Sequence, residues 1–352
     1  MPAISAADAI SPAIRRTRNF LFRPFRLGTY LKLCLVAMIT EGFGGNTNFS
    51  GTGGHHSSRH ASTLPSYTHG SFKPEWIAAS IAALALVMLI CFFLYYLITR
   101  LRFAYFHCLI HNIREIRPGW HLYREPATRF FWLNVVVGLC FLLLMGLIAL
   151  PFAAGFLGVF RNLAAGGHPN LGVILALLLP LIPIILLLIL VGLAIDLILR
   201  DFMLPHFALE NATAGQAWAA AWARIRNEKG SFFAYALLRI LLPIVALIVL
   251  FVVLILPVIV FIAVVAVVEV AIHAAFTGSA AALGIFLQAS IGVLAFGVAL
   301  LVGIAFGGPL STAIREYALI FYGGRYRPLG DILYPPPPPQ QPPIIPSAPA
   351  IA

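Results

Sequence analysis

An unbroken apolar stretch, residues 232–276, constrains this chain more than any other feature. As a helix it would be about 70 Å long at a rise of about 1.5 Å per residue, whereas the hydrocarbon core of a bilayer is about 30 Å thick. The whole chain is 61% hydrophobic and only 10% charged, against about 25% charged residues in soluble domains. The sequence therefore predicts an all-α polytopic membrane protein, a bundle of transmembrane helices.

Six segments are long and apolar enough to cross a bilayer, since one crossing needs about 20 residues. In chain order they are 27–43, 76–99, 130–156, 171–199, 232–276 and 281–310. The fifth segment is too long for one crossing. It contains either one span and an extra apolar segment, or two spans that turn near Pro257.

The positive charges distinguish these alternatives, because Lys and Arg gather in cytoplasmic loops. Both terminal regions and the segments 100–129 and 200–231 are basic, whereas the alternate loops carry only Arg59, Lys73 and Arg161. Both termini are therefore predicted to be cytoplasmic, which requires an even number of spans. Six spans satisfy this condition. The surplus, roughly 258–276, then becomes a bent extension or a re-entrant segment on the outer side.

These assignments divide the chain into three parts with defined loops. The parts are a basic cytoplasmic segment with an interfacial helix at 1–26, a six-span membrane domain at 27–333, and a proline-rich cytoplasmic tail at 334–352. Within the membrane domain, 44–75 is the outer loop. The tail contains the prolines 335–339, which favour a solvated polyproline II chain. We expect a disordered tail, with a ligand for an aromatic groove as the alternative.

Two amphipathic helices are expected to lie in the membrane interface. Ser11-Pro12 predicts the start of the first, because Ser is a good cap and Pro is favoured at the first helical position. The second covers 214–228, where Trp218 and Trp222 share one face. Each either docks on lipid or a partner, or only packs the cytoplasmic rim. We attribute the net charge of +11 to the orientation of the chain in the membrane and to contacts with anionic lipid headgroups. We expect no nucleic-acid partner.

Charges inside spans are functional candidates because their insertion costs a few kcal/mol. Asp196 lies near the cytoplasmic end of the fourth span, and Arg239 lies at a matching depth in the fifth. We therefore predict an Asp196–Arg239 pair that locks two helices, with a solute or proton pathway as the alternative. Lys32 and Glu41, near the ends of the first span, are expected to reach water.

Several histidines and one further carboxylate are candidates for a metal-binding or catalytic site. Glu269 and His273 are four residues apart and share a helix face on the outer side, but two ligands do not make a metal site. His107 and His111 have the same spacing without an HExxH motif. The outer loop also contains histidines, at His55, His56, His60 and His69. We predict no metal, no cofactor and no catalytic residue.

The corner between the fourth and fifth spans contains Arg200, Asp201, Pro205 and Glu210. Pro205 is expected to end or kink the fourth helix. Asp201 and Glu210 are expected to bind nearby arginines or free backbone N–H groups. We interpret this segment as a structural corner first, and as a functional site second.

The same segment carries a family resemblance. Asp201-Phe202-x-x-Pro205, Glu210 and Ala217-Trp218 follow the fourth span, and Leu21-Phe22-x-Pro24-Phe25 precedes the first. Together these residues resemble uncharacterised bacterial multi-pass membrane proteins, akin to the membrane domain beside some glycerophosphoryl diester phosphodiesterases. The resemblance covers most of 9–330 and implies a six-helix bundle in a bacterial plasma membrane. It implies no active site, and the phosphodiesterase catalytic domain is absent from this sequence.

No nucleotide-binding or hydrolase motif, such as GxxxxGK[ST] or GxSxG, occurs in the chain. The sequence therefore favours a non-catalytic integral protein of the plasma (inner) membrane, acting in scaffolding, assembly or envelope homeostasis. The alternatives are a transporter or channel that uses the fourth and fifth spans, and a membrane-embedded enzyme that acts on lipid. Protein partners and substrates cannot be predicted.

Overall fold

The structure, a computed structural model, describes residues 4–42, 74–164 and 171–335. Within these ranges it is entirely helical, with no β-strand. The helices are α1 Ile10–Phe22, α2 Leu27–Gly42, α3 Pro74–His111, α4 Arg117–Leu122, α5 Arg124–Ala164, α6 Leu171–Leu197, α7 Leu204–Leu209, α8 Ala214–Asn227, α9 Lys229–Ala275, α10 Ala281–Gly323 and α11 Arg327–Leu333. A π-helical turn, Ile198–Met203, joins α6 to α7, and a short 3₁₀ turn precedes α10.

Among the described residues, five helical segments are long and apolar enough to cross a membrane, which confirms the predicted all-α membrane architecture. They are Ala78–His111, Arg124–Ala164, Leu171–Leu209, Lys229–Ala275 and Ala281–Gly323. They correspond to the second through sixth predicted spans. The first predicted span is α2, which has 16 residues and ends where the described range stops. That α2 crosses the bilayer stays a prediction. The outer-loop histidines and the tail beyond Pro335 lie outside the described residues.

The surplus apolar segment is part of one continuous helix. α9 extends for 47 residues through Pro243 and Pro257 without a turn. A proline removes a single backbone hydrogen bond, and such sites are tolerated in membrane helices. The alternatives of two spans with a turn at Pro257, and of a re-entrant 258–276, were therefore wrong. The continuous helix agrees with an extension, and that residues 258–276 lie bent on the outer side stays a prediction. α1 likewise starts one residue before the predicted Ser11 cap, at Ile10.

The buried core lies at one end of the long helices. Residues 103–106 of α3, 199–204 before and within α7, and 317–323 of α10 are buried there. We call this packed end the base; it comprises α1, α2, α4, α7, α8, α11 and the adjoining ends of the five long helices. The rest of each long helix, which we call its shaft, is apolar and exposed. The most apolar window is 0% buried in four of the five spans, as expected for surfaces that lipid solvates.

One structural arrangement, a long helix followed by a short helix, occurs three times in the described base. The three long helices that end in the base are each followed by a short helix with Pro in its first turn, at Pro118, Pro205 and Pro328. Each of the three also carries a buried arginine near that end. These arginines, Arg102, Arg200 and Arg315, are 3%, 3% and 1% exposed. Each of these three chain segments therefore places one cation in the same interior.

Candidate functional site

The buried arginines meet at the C-terminal end of α2. The Thr40 carbonyl oxygen accepts hydrogen bonds from Arg102 Nε and Nη2, at 3.3 and 3.1 Å, and from Arg200 Nη2 at 2.9 Å. The last carbonyls of a helix have no partner within it and carry partial negative charge. Two guanidinium groups therefore cap α2 and attach it to α3 and to the π turn.

Asp201 is the most completely bound carboxylate. Its Oδ2 accepts from Tyr235 Oη at 2.7 Å and from Arg239 Nε at 3.0 Å, and its Oδ1 accepts from Arg315 Nη1 at 3.0 Å. The residue is 3% exposed. Charge-assisted bonds of this kind are the strong ones, so Asp201 ties the π turn to both α9 and α10.

Glu41 joins α2 to the same group. Its carboxylate lies 3.5 Å from Arg239 Nη2 and 3.8 Å from Arg315 Nε, and its side chain is buried. The expectation that Glu41 reaches water was therefore wrong, because α2 packs inside the base. We call Glu41, Arg102, Asp196, Arg200, Asp201, Arg239 and Arg315 the arginine cluster. Its four arginines face three carboxylates and the carbonyl end of α2.

The π turn explains how Arg315 enters the cluster. In this wide turn the Leu204 N–H bonds to the Leu199 carbonyl, five residues back. The next bond in that register would need an N–H at Pro205, which proline lacks. The Arg200 carbonyl accepts instead from Arg315 Nη1 at 3.0 Å. Pro205 does not end the helical path, which continues to Leu209; its missing N–H leaves a carbonyl for α10.

The predicted Asp196–Arg239 pair does not form. Asp196 Oδ2 lies 3.2 Å from Arg200 Nη1, one turn along its own chain, with its side chain 41% exposed. Arg239 binds Asp201 and Glu41 instead. The depth of each residue along its helix correctly identified Arg239 as a member of a buried ion pair, but it named Asp196 as the partner in place of Asp201. Which carboxylate faces α9 depends on the helix face, and the face is set by the packing of the π turn.

The remaining corner residue, Glu210, binds within α7. Its Oε2 lies 3.0 Å from His206 Nδ1, and the other ring nitrogen of His206 lies 2.8 Å from Tyr322 Oη. Arg224 Nη1 is 3.4 Å from that second nitrogen. Desolvation raises the pKa of Glu210, but the hydrogen bonds to His206 and Tyr326 and the nearby charge of Arg224 together outweigh it, so the pKa of Glu210 is lowered. Glu210 thus ties the corner to a histidine rather than to an arginine.

The other candidates do not converge. Glu269 and His273 have no hydrogen bond or ion pair with each other among the described residues, although Gln288 donates to the Glu269 carbonyl at 3.1 Å. The His107 and His111 rings lie 4.6 Å apart at the rim of the base. In the part of the chain that the structure describes, no three His, Cys, Asp or Glu side chains form a possible ligand set for a metal.

Two cluster members and one of their partners were not singled out in the sequence. They are Arg102, Arg315 and Tyr235, and each lies near the end of an apolar run, where a polar side chain is ordinary. One signal was present in the sequence. Arg102, Arg200 and Arg315 precede Pro118, Pro205 and Pro328 by 16, 5 and 13 residues. Because these spacings are unequal, the pattern can be recognised only once the helices are known.

The match to known families covers nearly all of this architecture. A family of unknown function, DUF7544, matches residues 4–332, and the chain belongs to it. No curated protein and no solved structure matches the chain.

Proposed function

We propose that this member of a family without an assigned activity is a non-catalytic scaffold of the bacterial plasma membrane. The observation that carries the proposal is the binding of Asp201 and Glu41 by arginines from other helices. A buried charge whose partners come from neighbouring helices holds those helices in register, a role for which buried polar groups are best attested. The cluster therefore acts as a lock on the base.

The shafts give such a scaffold its contact surface. They are apolar and open over most of their length, so lipid or other membrane helices can pack against them while the base keeps its shape. Without a hydrophobic drive between helices in lipid, association depends on packing and polar contacts. A rigid base that fixes where the shafts leave it keeps their exposed faces available to partner membrane proteins.

Two cavities bear on the alternative of a transporter. One, of about 400 Å³, lies in the base beside Arg16, His111 and Leu333. The other, of about 310 Å³, is an apolar groove between α9 and α10 that Glu269 lines. Neither is lined by Asp196, Asp201 or Arg239. This separation favours the scaffold over a pathway through the cluster.

Proteoliposomes test the proposal against transport. Purified protein is expected to give no proton or potassium flux above that of empty vesicles, measured with a pH-sensitive dye under an imposed potential. Asp196→Asn serves as the matched variant because its half-exposed side chain lets the protein fold. A flux that this variant abolishes would overturn the scaffold. In cells, deletion of the gene is expected to alter a membrane complex on native gels, and the Asp196→Asn chain is expected to restore it.

The proposed topology has six crossings with both termini in the cytoplasm. Arg325 Nη1 donates to the Ile4 carbonyl at 3.0 Å, so the two ends of the described chain meet in the base. α3 enters the base at its C-terminal end, so the chain must cross once between Ile4 and α3, and we assign that crossing to the segment that starts with α2.

A reporter fused after Tyr334 checks this topology. A cytoplasmic reporter, such as a fluorescent protein that folds only in the cytoplasm, is expected to be active, and a periplasmic phosphatase reporter inactive. The matched control is a fusion in the 165–170 connection, where the two reporters should exchange behaviour. An active phosphatase after Tyr334 would mean an odd number of crossings.

A further inference from the structure

An exposed aromatic and basic turn follows α1. Phe22, Phe25 and Leu27 are 43%, 56% and 62% exposed, although their kind of side chain is usually buried. The Phe22 and Phe25 rings stack with centroids 6.1 Å apart, and both contact Tyr30. We call residues 22–27 the basic turn. It presents an ordered apolar surface that nothing else in the described chain covers.

The turn is held in place by an arginine from another segment. Arg114, which follows α3, donates to the carbonyl oxygens of Arg23 and Pro24, and to that of Asn19 at 3.4 Å. These carbonyls are at the C-terminal end of α1, where a cation is favourable. The aromatic rings are therefore presented by a pre-organised turn.

The charge around the turn has one sign. Arg23 and Arg26 are exposed, and neither has an ion-pair partner among the described residues. Between Asp8 and Glu41 the sequence contains no acidic residue, whereas Arg15, Arg18 and Lys32 add further positive charge; Arg16 is excluded because it pairs with Glu316. The surface is therefore complementary to an anion.

We infer that the basic turn binds the phosphate headgroup of an anionic phospholipid, with its aromatic rings in the acyl boundary. The planar guanidinium matches phosphate oxygens two at a time, and Phe and Leu side chains insert at the interface beside such cations. The turn leads directly into α2, where the predicted first span starts, so it lies where headgroups would be. This inference rests on the proposed topology, which places the base at the membrane surface.

Binding of lipid to the purified full-length protein in detergent tests this inference. Phosphatidylglycerol is expected to bind in preference to phosphatidylcholine, as measured by native mass spectrometry. Arg23→Gln with Arg26→Gln should weaken phosphatidylglycerol binding about thirty-fold, which corresponds to about 1 kcal/mol for each arginine near a membrane surface. The matched control, Arg226→Gln with Arg327→Gln, removes two other exposed charges of the base and should retain the preference.

Inorganic phosphate and an acidic peptide could also occupy the basic turn, and the same experiment tests each of them. Displacement of the lipid by equal concentrations of inorganic phosphate, or by an acidic peptide, would overturn the lipid assignment. Phe22→Ala with Phe25→Ala should weaken binding of phosphatidylglycerol but leave the response to inorganic phosphate unchanged. Equal loss in the arginine variant and its control would also overturn it. Vesicle flux would refute the scaffold while leaving these binding results intact, so the two failures are distinguishable.

Discussion

Asp201→Asn is expected to lower the free energy of unfolding by about 3–5 kcal/mol, the usual cost of removing one partner from a buried ion pair. The substitution keeps the shape of the side chain but removes its charge, so Arg239 and Arg315 lose the carboxylate that lies 3.0 Å from each. The yield of monodisperse protein and its thermal unfolding in detergent provide the measurement. We expect most of the chain to be lost to aggregation.

Asp196→Asn is the matched control, five residues earlier in the same segment. Its side chain is 41% exposed and has a single partner, Arg200, one turn away. Arg200 keeps its hydrogen bond to the Thr40 carbonyl when Asp196 is neutral, so this variant should lose much less stability than Asp201→Asn. A second test adds Arg239→Gln to Asp201→Asn, which removes one of the uncompensated cations and should restore part of the stability. Equal losses at the two aspartates would contradict the lock.

Gly308→Ala is expected to separate α2 from α10. A Cβ built at this position lies 2.2 Å from the Cys34 Cβ and 2.5 Å from the Cys34 Cα. The backbone of α2 would have to move, and overpacking that moves a backbone typically costs about 1–3 kcal/mol. Because α2 also carries Thr40 and Glu41, its displacement would disturb the arginine cluster as well.

Labelling of Cys34 reports the separation directly. Cys34 is fully buried, so in a chain that also carries Cys91→Ala, Cys108→Ala and Cys140→Ala, which removes the other three cysteines, it should resist a maleimide reagent. With Gly308→Ala the thiol should become reactive. Gly303→Ala is the matched control, because its Cβ would meet nothing within 4 Å and Ala is the better helix former by about 1 kcal/mol. Unchanged protection of Cys34 in Gly308→Ala would show that the helices accommodate the methyl group.

The candidate site could be predicted only in part. Asp201 and Arg239 were both singled out, since a charge beside a long apolar run is visible in the sequence. Their pairing was not found, because Asp196 lies at a similar depth and the sequence does not show which carboxylate faces α9. Glu41 was expected to reach water for a related reason. Its position at the end of an apolar run is compatible with either water or a buried site, and the packing of α2 places it in the buried site.

The membrane character and the helical class follow from composition alone, because transfer into lipid is a sum over residues and a helix satisfies its own backbone within one segment. Residues 232–276 show the boundary of that reasoning. Their apolar composition predicted membrane helix, and α9 is one, but whether they turn at Pro257 was left to a count of loop charges. Three features depend on contacts between residues far apart in the chain. They are the continuous path of α9, the π turn before Pro205, and the meeting of Arg102, Arg200 and Arg315 in the base. Those contacts are decided by which helix faces pack together, and only the tertiary structure contains that information.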